Sequence, residues 1–338
     1  MLLDAFEVRG RRLKNRLCAA PLASSSGDCA GLPTERSLEV YGKIAASGVS
    51  LVNVEHHAVN STGRVRPEQF LADRGEAAAA HAKIAALIKE GGKTAVAQIS
   101  HGGANLANAA VFEMEGFRCL SPSGVKVGPI WEGLSREPEK LSISEIKRLV
   151  EDFAAAAERL VRTAGYCGVM IHAAHGYLAG QFLSPLTNLR DDAYGGTGYR
   201  RARFLYEITD AVRRTLPDAL VSVRLGAADV LLDESPRGLA VEDTRAVARE
   251  LAALGVDLLS VSGNLCGYGA ARRDGAYFAP YAAAVREAAG GKVPVECTGG
   301  IRSANAAERL LADRCCDLIG VGRPLLADAG FLDKWRAV

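Results

Sequence analysis

Within the segment Ile171-His172-Ala173-Ala174-His175-Gly176-Tyr177, two imidazoles and a phenol fall inside six residues. The segment follows Gly165-Tyr166-Cys167-Gly168-Val169-Met170, which reads as the end of a helix and then a buried strand. The three side chains therefore arrive where a strand gives way to a loop. Residues three apart on a strand point to opposite faces, so His172 and His175 converge only if the chain turns between them. Neutral imidazoles donate hydrogen bonds and a phenol supplies a proton, so the trio suits a substrate that gathers negative charge on an oxygen. The alternative is a histidine that fixes a loop and a packed Tyr177. Two histidines and a tyrosine at one strand end favour a catalytic role over it.

Glycines provide the second signal. Thr298-Gly299-Gly300 and Gly320-Val321-Gly322-Arg323 each end an apolar run, and a helix start is expected near Ser303. Glycines let backbone N–H groups approach a phosphate, and Arg323 adds charge. Ordinary tight turns are the competing explanation. With Gln98 and Arg224 at other strand ends, the pattern suggests a phosphorylated planar cofactor. An amide can bond the polar edge of a flavin pyrimidine, and an arginine near the N1–C2 edge would stabilise the reduced ring. Taken singly, Gln98 is equally read as a loop-fixing amide and Arg224 as half of an ion pair.

The elements that must carry these residues follow from hydrophobic pattern. Eight apolar runs of strand length are expected near Leu17-Pro21, Leu51-Val54, Thr94-Ile99, Gly168-His172, Val221-Leu225, Leu258-Ser262, Pro294-Cys297 and Leu318-Val321. Helical periodicity is strongest over Ala77-Glu90, Glu145-Thr163, Arg201-Thr215, Val241-Leu254 and Ala304-Ala312. The 145–163 helix opens on Ser142-Ile143-Ser144-Glu145, a capping-box pattern. Gly165 and Gly255 stand where left-handed helix caps are expected. Apolar strands alternating with amphipathic helices predict a parallel α/β sheet covered on its outer face. Eight units predict a single (β/α)8 TIM barrel over residues 1–338. A short hairpin over 6–13 would close its floor. Long loops are expected after strands three and four (101–141 and 173–199), on the face where barrel enzymes keep their chemistry.

Composition narrows the classes. The chain has 338 residues, is 49% hydrophobic and carries a net charge of +2. It has neither a basic tail nor an aromatic-interleaved basic stripe, so no nucleic-acid partner is expected. No apolar run approaches 18 residues and no signal-peptide pattern opens the chain, so no membrane partner is expected and the location is read as cytoplasmic. The eight cysteines form no Cys-x-x-Cys pair, which argues against a zinc or iron–sulfur site; Cys315-Cys316 reads as packing rather than a disulfide.

At these residues the chain resembles the old yellow enzyme family of FMN-dependent ene-reductases, and the related barrel domain of bacterial 2,4-dienoyl-CoA reductases. The likeness runs from Leu13-Lys14-Asn15-Arg16 to Gly322-Arg323-Pro324-Leu325-Leu326 and is most specific over His172 to Leu178, Gln181 to Asn188 and Arg190 to Gly196. The resemblance implies FMN lying on Ala20, Pro21, Leu22 and Ala23 and near His56, with Gln98 and Arg224 on its ring edge. Its phosphate would rest on Gly299, Gly300, Gly322 and Arg323. His172 and His175 would receive the carbonyl oxygen of an α,β-unsaturated substrate, and Tyr177 would protonate the α-carbon. NADH or NADPH would supply the electrons in a ping-pong cycle, and self-association is plausible by the same likeness. Three positions depart from the family pattern. Ala23 stands where a subgroup has a redox-tuning cysteine, Ser25 where a tyrosine often assists the substrate, and His56 where a small residue is usual. The cysteine cluster and dinucleotide-binding domains of the larger dienoyl-CoA reductases are not expected.

Two other readings stay open on the residues. One is a flavin-binding or redox-sensing protein without ene-reductase turnover. The other is a sugar-phosphate lyase or isomerase barrel, weakened by the lack of a lysine at the expected strand ends. Trp131, Tyr268 and Tyr277 are read as core or lid packing rather than substrate contacts.

Overall fold

The computed structural model describes residues 1–127, 137–230, 238–266, 275–328 and 330–336. Trp131 and Tyr268 lie outside the described residues. In chain order, a hairpin of β1 (Phe6–Val8) and β2 (Arg11–Leu13) precedes β3 (Leu17–Ala19), α1 (Glu35–Ala46), β4 (Leu51–Ala58), α2 (Gly75–Ala80), α3 (Ala82–Glu90) and β5 (Thr94–Ser100). The short pair β6 (Leu120–Ser121) and β7 (Glu139–Lys140) leads to α4 (Ile143–Glu158), β8 (Gly168–Ala173), α5 (Leu178–Leu183), α6 (Gly198–Thr215) and β9 (Leu220–Gly226). There follow α7 (Val241–Ala253), β10 (Leu258–Ser262), α8 (Ala279–Ala288), β11 (Val295–Thr298), α9 (Ala304–Ala312), β12 (Leu318–Val321), α10 (Arg323–Ala327) and α11 (Asp333–Arg336).

Eight strands close a barrel in the order β3-β4-β5-β8-β9-β10-β11-β12, with β12 pairing back to β3. Every pairing is parallel. The eight expected strands are all present, within a few residues of their expected ends. Parallel neighbours demand crossovers, and the amphipathic helices provide them on the outside. The outward faces of the strands and the helices share one large apolar core, including Val52, Val54, Ile99, Phe153, Phe204 and Val261. Inside, Cys18, Leu51, Val96, Met170, Leu220, Leu258 and Leu318 form the bottom layer, and Phe6, Val8 and Leu13 of the hairpin pack onto it. The hairpin is thus the floor.

Ser142 caps α4 in a reciprocal box with Glu145. Gly165 and Gly255 take left-handed backbone, at φ +77° and +79°. Two helices differ from their sequence pattern. The 77–90 stretch breaks at His81, whose ring is buried 4.5 Å from His57 and 4.8 Å from Phe70 between centroids. The 145–163 stretch finishes in a π turn over Arg159–Thr163, with Leu160 facing inward. The outer helices α1 and α8 were not among the strong sequence signals, and only α8 has weak apolar periodicity. The loop after β5 builds its own small core of Ala104, Leu106, Val111, Cys119 and Val127. The loop after β8 contains α5, which is buried throughout. Among the described residues no helix is long and apolar enough to cross a membrane, and no cluster of histidines, cysteines and acids has metal-binding geometry. All eight cysteines are free thiols.

Candidate active site

The C-terminal ends of the strands bring the predicted catalytic residues together. After His172, the last inward residue of β8, the chain turns sharply. His175 sits in left-handed backbone at φ +59° and Gly176 at +66°, and the Tyr177 N–H closes the turn onto Ala174 O at 3.1 Å. Histidine is among the few non-glycine residues enriched in that region. The turn sets the His172 and His175 rings 5.0 Å apart at 69°, and the Tyr177 ring 4.8 Å from His172. The convergence that the spacing required is therefore real.

Supporting contacts fix this group. His175 Nε2 lies 2.8 Å from Ser262 Oγ at the end of β10, and its backbone N–H donates to Gly263 O. Asn264 accepts the Gly176 N–H, and Gln181 on α5 donates to the carbonyls of Gly102 and Gly176. Burial drives the basicity of His172 and His175 well below that of free histidine, and the Arg224 charge pushes the same way. Both imidazoles are neutral at pH 7, the state in which each ring has one N–H to donate and none of its own charge to neutralise.

Arg224 on β9 stands beside His172 in register and reaches Thr298 Oγ1 at 3.5 Å. On β11, two strands from β9, Glu296 is wholly buried; burial pushes its carboxyl up to about 7 against the opposing pull of Arg224. Gly320 makes room for it, since a Cβ there would fall 2.2 Å from Glu296 Oε1. Gln98 on β5 is 2% exposed, and its amide N–H meets only the Met170 thioether, at 3.4 Å.

Ala20, Pro21, Leu22, Ala23, Arg224, Gly299, Gly300, Gly322 and Arg323 all line one cavity of 450 Å³, together with His175, Ser262 and Thr298. Tyr277 also lines it, and its ring packs on the glycine turn. Gly299 and Gly300 have φ of +94° and +73°, and a Cβ on Gly300 would fall 1.6 Å from Gly275 O. Ser303 caps α9 through its side chain, as expected. Beyond this cavity, His56 on β4 reaches the trio from the other side, its ring 5.3 Å from Tyr177 and 6.4 Å from His172.

These features fit a flavin mononucleotide. The buried His172 Nδ1 has no hydrogen-bond partner among the described residues, and the Gln98 amide N–H is spent on a thioether, a weak acceptor. The glycine turn lines the cavity where a phosphate would approach, and Arg323 lies exposed at the rim. Glu296, Ser262 and Asn264 had no sequence signal of their own, and Gln181 stood out only as part of the segment of family likeness. Only the closed barrel reveals them. A larger surface hollow of 740 Å³, lined by Asp191, Tyr199, Arg203 and Glu207 among others, lies away from the strand ends and gathers no catalytic set.

A parallel barrel with a histidine pair and a glycine-rich cradle at its upper rim defines a flavin oxidoreductase of the old yellow enzyme type. The chain belongs to the NADH:flavin oxidoreductase / NADH oxidase family, whose model matches residues 2–337. It is 32% identical over 331 residues to an NADPH dehydrogenase of Bacillus subtilis (strain 168), covering 98% of this chain and 92% of that one. A solved 2-naphthoyl-CoA reductase superposes at TM-score 0.89 with 24% identity; the match covers 99% of this chain and about half, 52%, of that longer one. An old yellow enzyme homologue from Zymomonas mobilis superposes at 0.83 with 24% identity, over 99% and 92% of the two chains. The protein is therefore an FMN-dependent oxidoreductase that takes electrons from NADH or NADPH.

Proposed function

We propose that the protein reduces the C=C bond of α,β-unsaturated carbonyl compounds, and that residues 1–338 act as one FMN-binding barrel domain. The observation that carries the reading is the neutral His172–His175 pair, 5.0 Å apart, with the Tyr177 ring 4.8 Å from His172. Gln98 and Arg224 would hold the ring edge of FMN, Ala20 to Ala23 one face, and Gly299, Gly300, Gly322 and Arg323 the phosphate. The hydride for the β-carbon would come from bound FMN once NAD(P)H had reduced it. The protein's own part is to polarise and to protonate. His172 and His175 donate to the carbonyl oxygen, where negative charge builds as the hydride arrives. The Tyr177 O–H passes its proton to the α-carbon and is reprotonated from water. The alkene gains one hydride and one proton, and NAD(P)H leaves as NAD(P)⁺.

The visible spectrum of the purified protein, taken anaerobically, tests this. NADPH or NADH must bleach the flavin bands and 2-cyclohexenone must restore them. Bleaching with no recovery against a broad alkene panel would overturn the ene-reductase assignment and leave a redox-sensing flavoprotein.

A further inference from the structure

β4 carries a bulge, and the bulge aims a third imidazole at the site. The β4–β5 register pairs Val54 with Ala97 but His57 with Ile99, so one extra residue is accommodated across Glu55-His56. Val52 and Val54 face the outer core, and so does His57 beyond the bulge, packed on Phe70 and His81. Simple alternation from Val54 would have sent His56 outward too. The inserted residue reverses the phase, and His56 turns into the barrel mouth.

Its protonation state is fixed by neighbours. The backbone N–H of Val65 donates to Gln69 Oε1 at 2.7 Å, which settles which end of that amide is oxygen. Gln69 Nε2 must then donate, and it lies 2.7 Å from His56 Nδ1 and 3.2 Å from His56 O. Nδ1 is therefore an acceptor, also within 3.1 Å of Ser100 Oγ, and the ring proton resides on Nε2. Burial and the nearby Arg66 charge lower the imidazole pKa to about 3, so His56 stays neutral. With Nδ1 engaged, Nε2–H has no protein partner among the described residues.

We propose that His56 is a further hydrogen-bond donor of the reducing site, held as the Nε2–H tautomer by Gln69. It selects alkenes bearing a second carbonyl oxygen beyond the one His172 and His175 receive. The proposal rests on the ene-reductase reading above. A substrate with one carbonyl leaves this N–H facing apolar surface once water is expelled, and an unsatisfied buried donor is disfavoured. A dicarbonyl alkene satisfies it. Gln69 acts through His56 and is a positioning residue.

The test uses FMN-loaded protein with N-methylmaleimide and 2-cyclohexenone as probes. The ratio of kcat/KM for maleimide over cyclohexenone should fall about tenfold in His56→Phe, which keeps a ring but deletes the N–H, and recover in His56→Gln, which restores an N–H. In ¹⁵N spectra of histidine-labelled protein, the resonance lost in His56→Phe should be an Nε2–H tautomer in the wild type. It should move to Nδ1–H in Gln69→Glu, and maleimide should shift it in the oxidised wild type. A ratio unchanged within about twofold, or an Nδ1–H tautomer in the wild type, overturns the proposal. If the wild type reduces neither alkene, the ene-reductase reading fails by itself, and the presence or absence of the maleimide shift still decides the role of His56.

Discussion

At the scale of single residues, the proposed site keeps charge off its imidazoles and places it next to them. His172 and His175 are neutral donors beside the permanent cation of Arg224. The double variant His172→Ala/His175→Ala should therefore lower kcat for cyclohexenone by about 10²–10³, while reduction of the flavin by NAD(P)H is less affected; stopped-flow of the two half-reactions separates them. Glu296 gives a pH signature. Its carboxyl is held near 7 in the fold against an ordinary value of 4.5. The folded protein thus binds a proton that the unfolded chain releases between these two values, and this group's contribution to stability falls as pH rises from 4.5 to 7. Glu296→Gln removes that slope. Relative to wild type, the variant should gain about 3 kcal/mol between pH 4 and pH 8 in urea unfolding of the FMN-free protein. A difference that stays flat with pH would mean that Glu296 titrates normally.

At the scale of elements, short loops at strand ends decide what the site can hold. The turn after β11 needs glycine twice, because Gly299 and Gly300 have positive φ and Gly275 O sits where a Gly300 Cβ would go. Gly300→Ala should weaken FMN retention by at least about tenfold, measured by fluorescence on ultrafiltration, with the far-ultraviolet circular dichroism unchanged. Retention equal to wild type would place the phosphate elsewhere. The eight strands, the hairpin floor, the capping box at Ser142 and the glycine caps were all legible, because each has a local cause: an apolar run, a side chain that satisfies a helix N–H, a residue free to take positive φ. The break at His81 and the π turn at Arg159–Thr163 were not. Both occur inside good helical periodicity, and what interrupts them is packing against β4 and the barrel wall.

At the scale of the whole molecule, the histidines tie stability to pH. The chain has six, and burial lowers the basicity of every one: His56, His57, His81, His101, His172 and His175. The unfolded chain takes up protons near pH 6.5 that the fold refuses, so stability is full above that value and is lost as pH falls below it. The raised carboxyls of Glu55, Asp152, Asp229 and Glu296 offset part of this, since they bind protons in the fold. Unfolding near pH 5.5 should show a net uptake of about two to four protons, seen as a steep fall of the urea midpoint between pH 7 and pH 5. A midpoint independent of pH over that range would contradict the burial of these rings.

By itself the sequence determined the barrel, and it pointed to the C-terminal ends of the strands and to His172, His175, Tyr177, Gln98 and Arg224 with the two glycine pairs as the candidate site. Those conclusions depend on residue type and on spacing within one element, which a linear chain displays. Tertiary structure alone decided which side chains meet across strands far apart in sequence. It placed Ser262 against His175 and Glu296 near Arg224, and it set Gln69 and Ser100 on His56. Above all it located the bulge in β4: one inserted residue reverses which face every later side chain occupies, and nothing in the run Leu51-Val52-Asn53-Val54-Glu55-His56-His57-Ala58 announces where the phase changes.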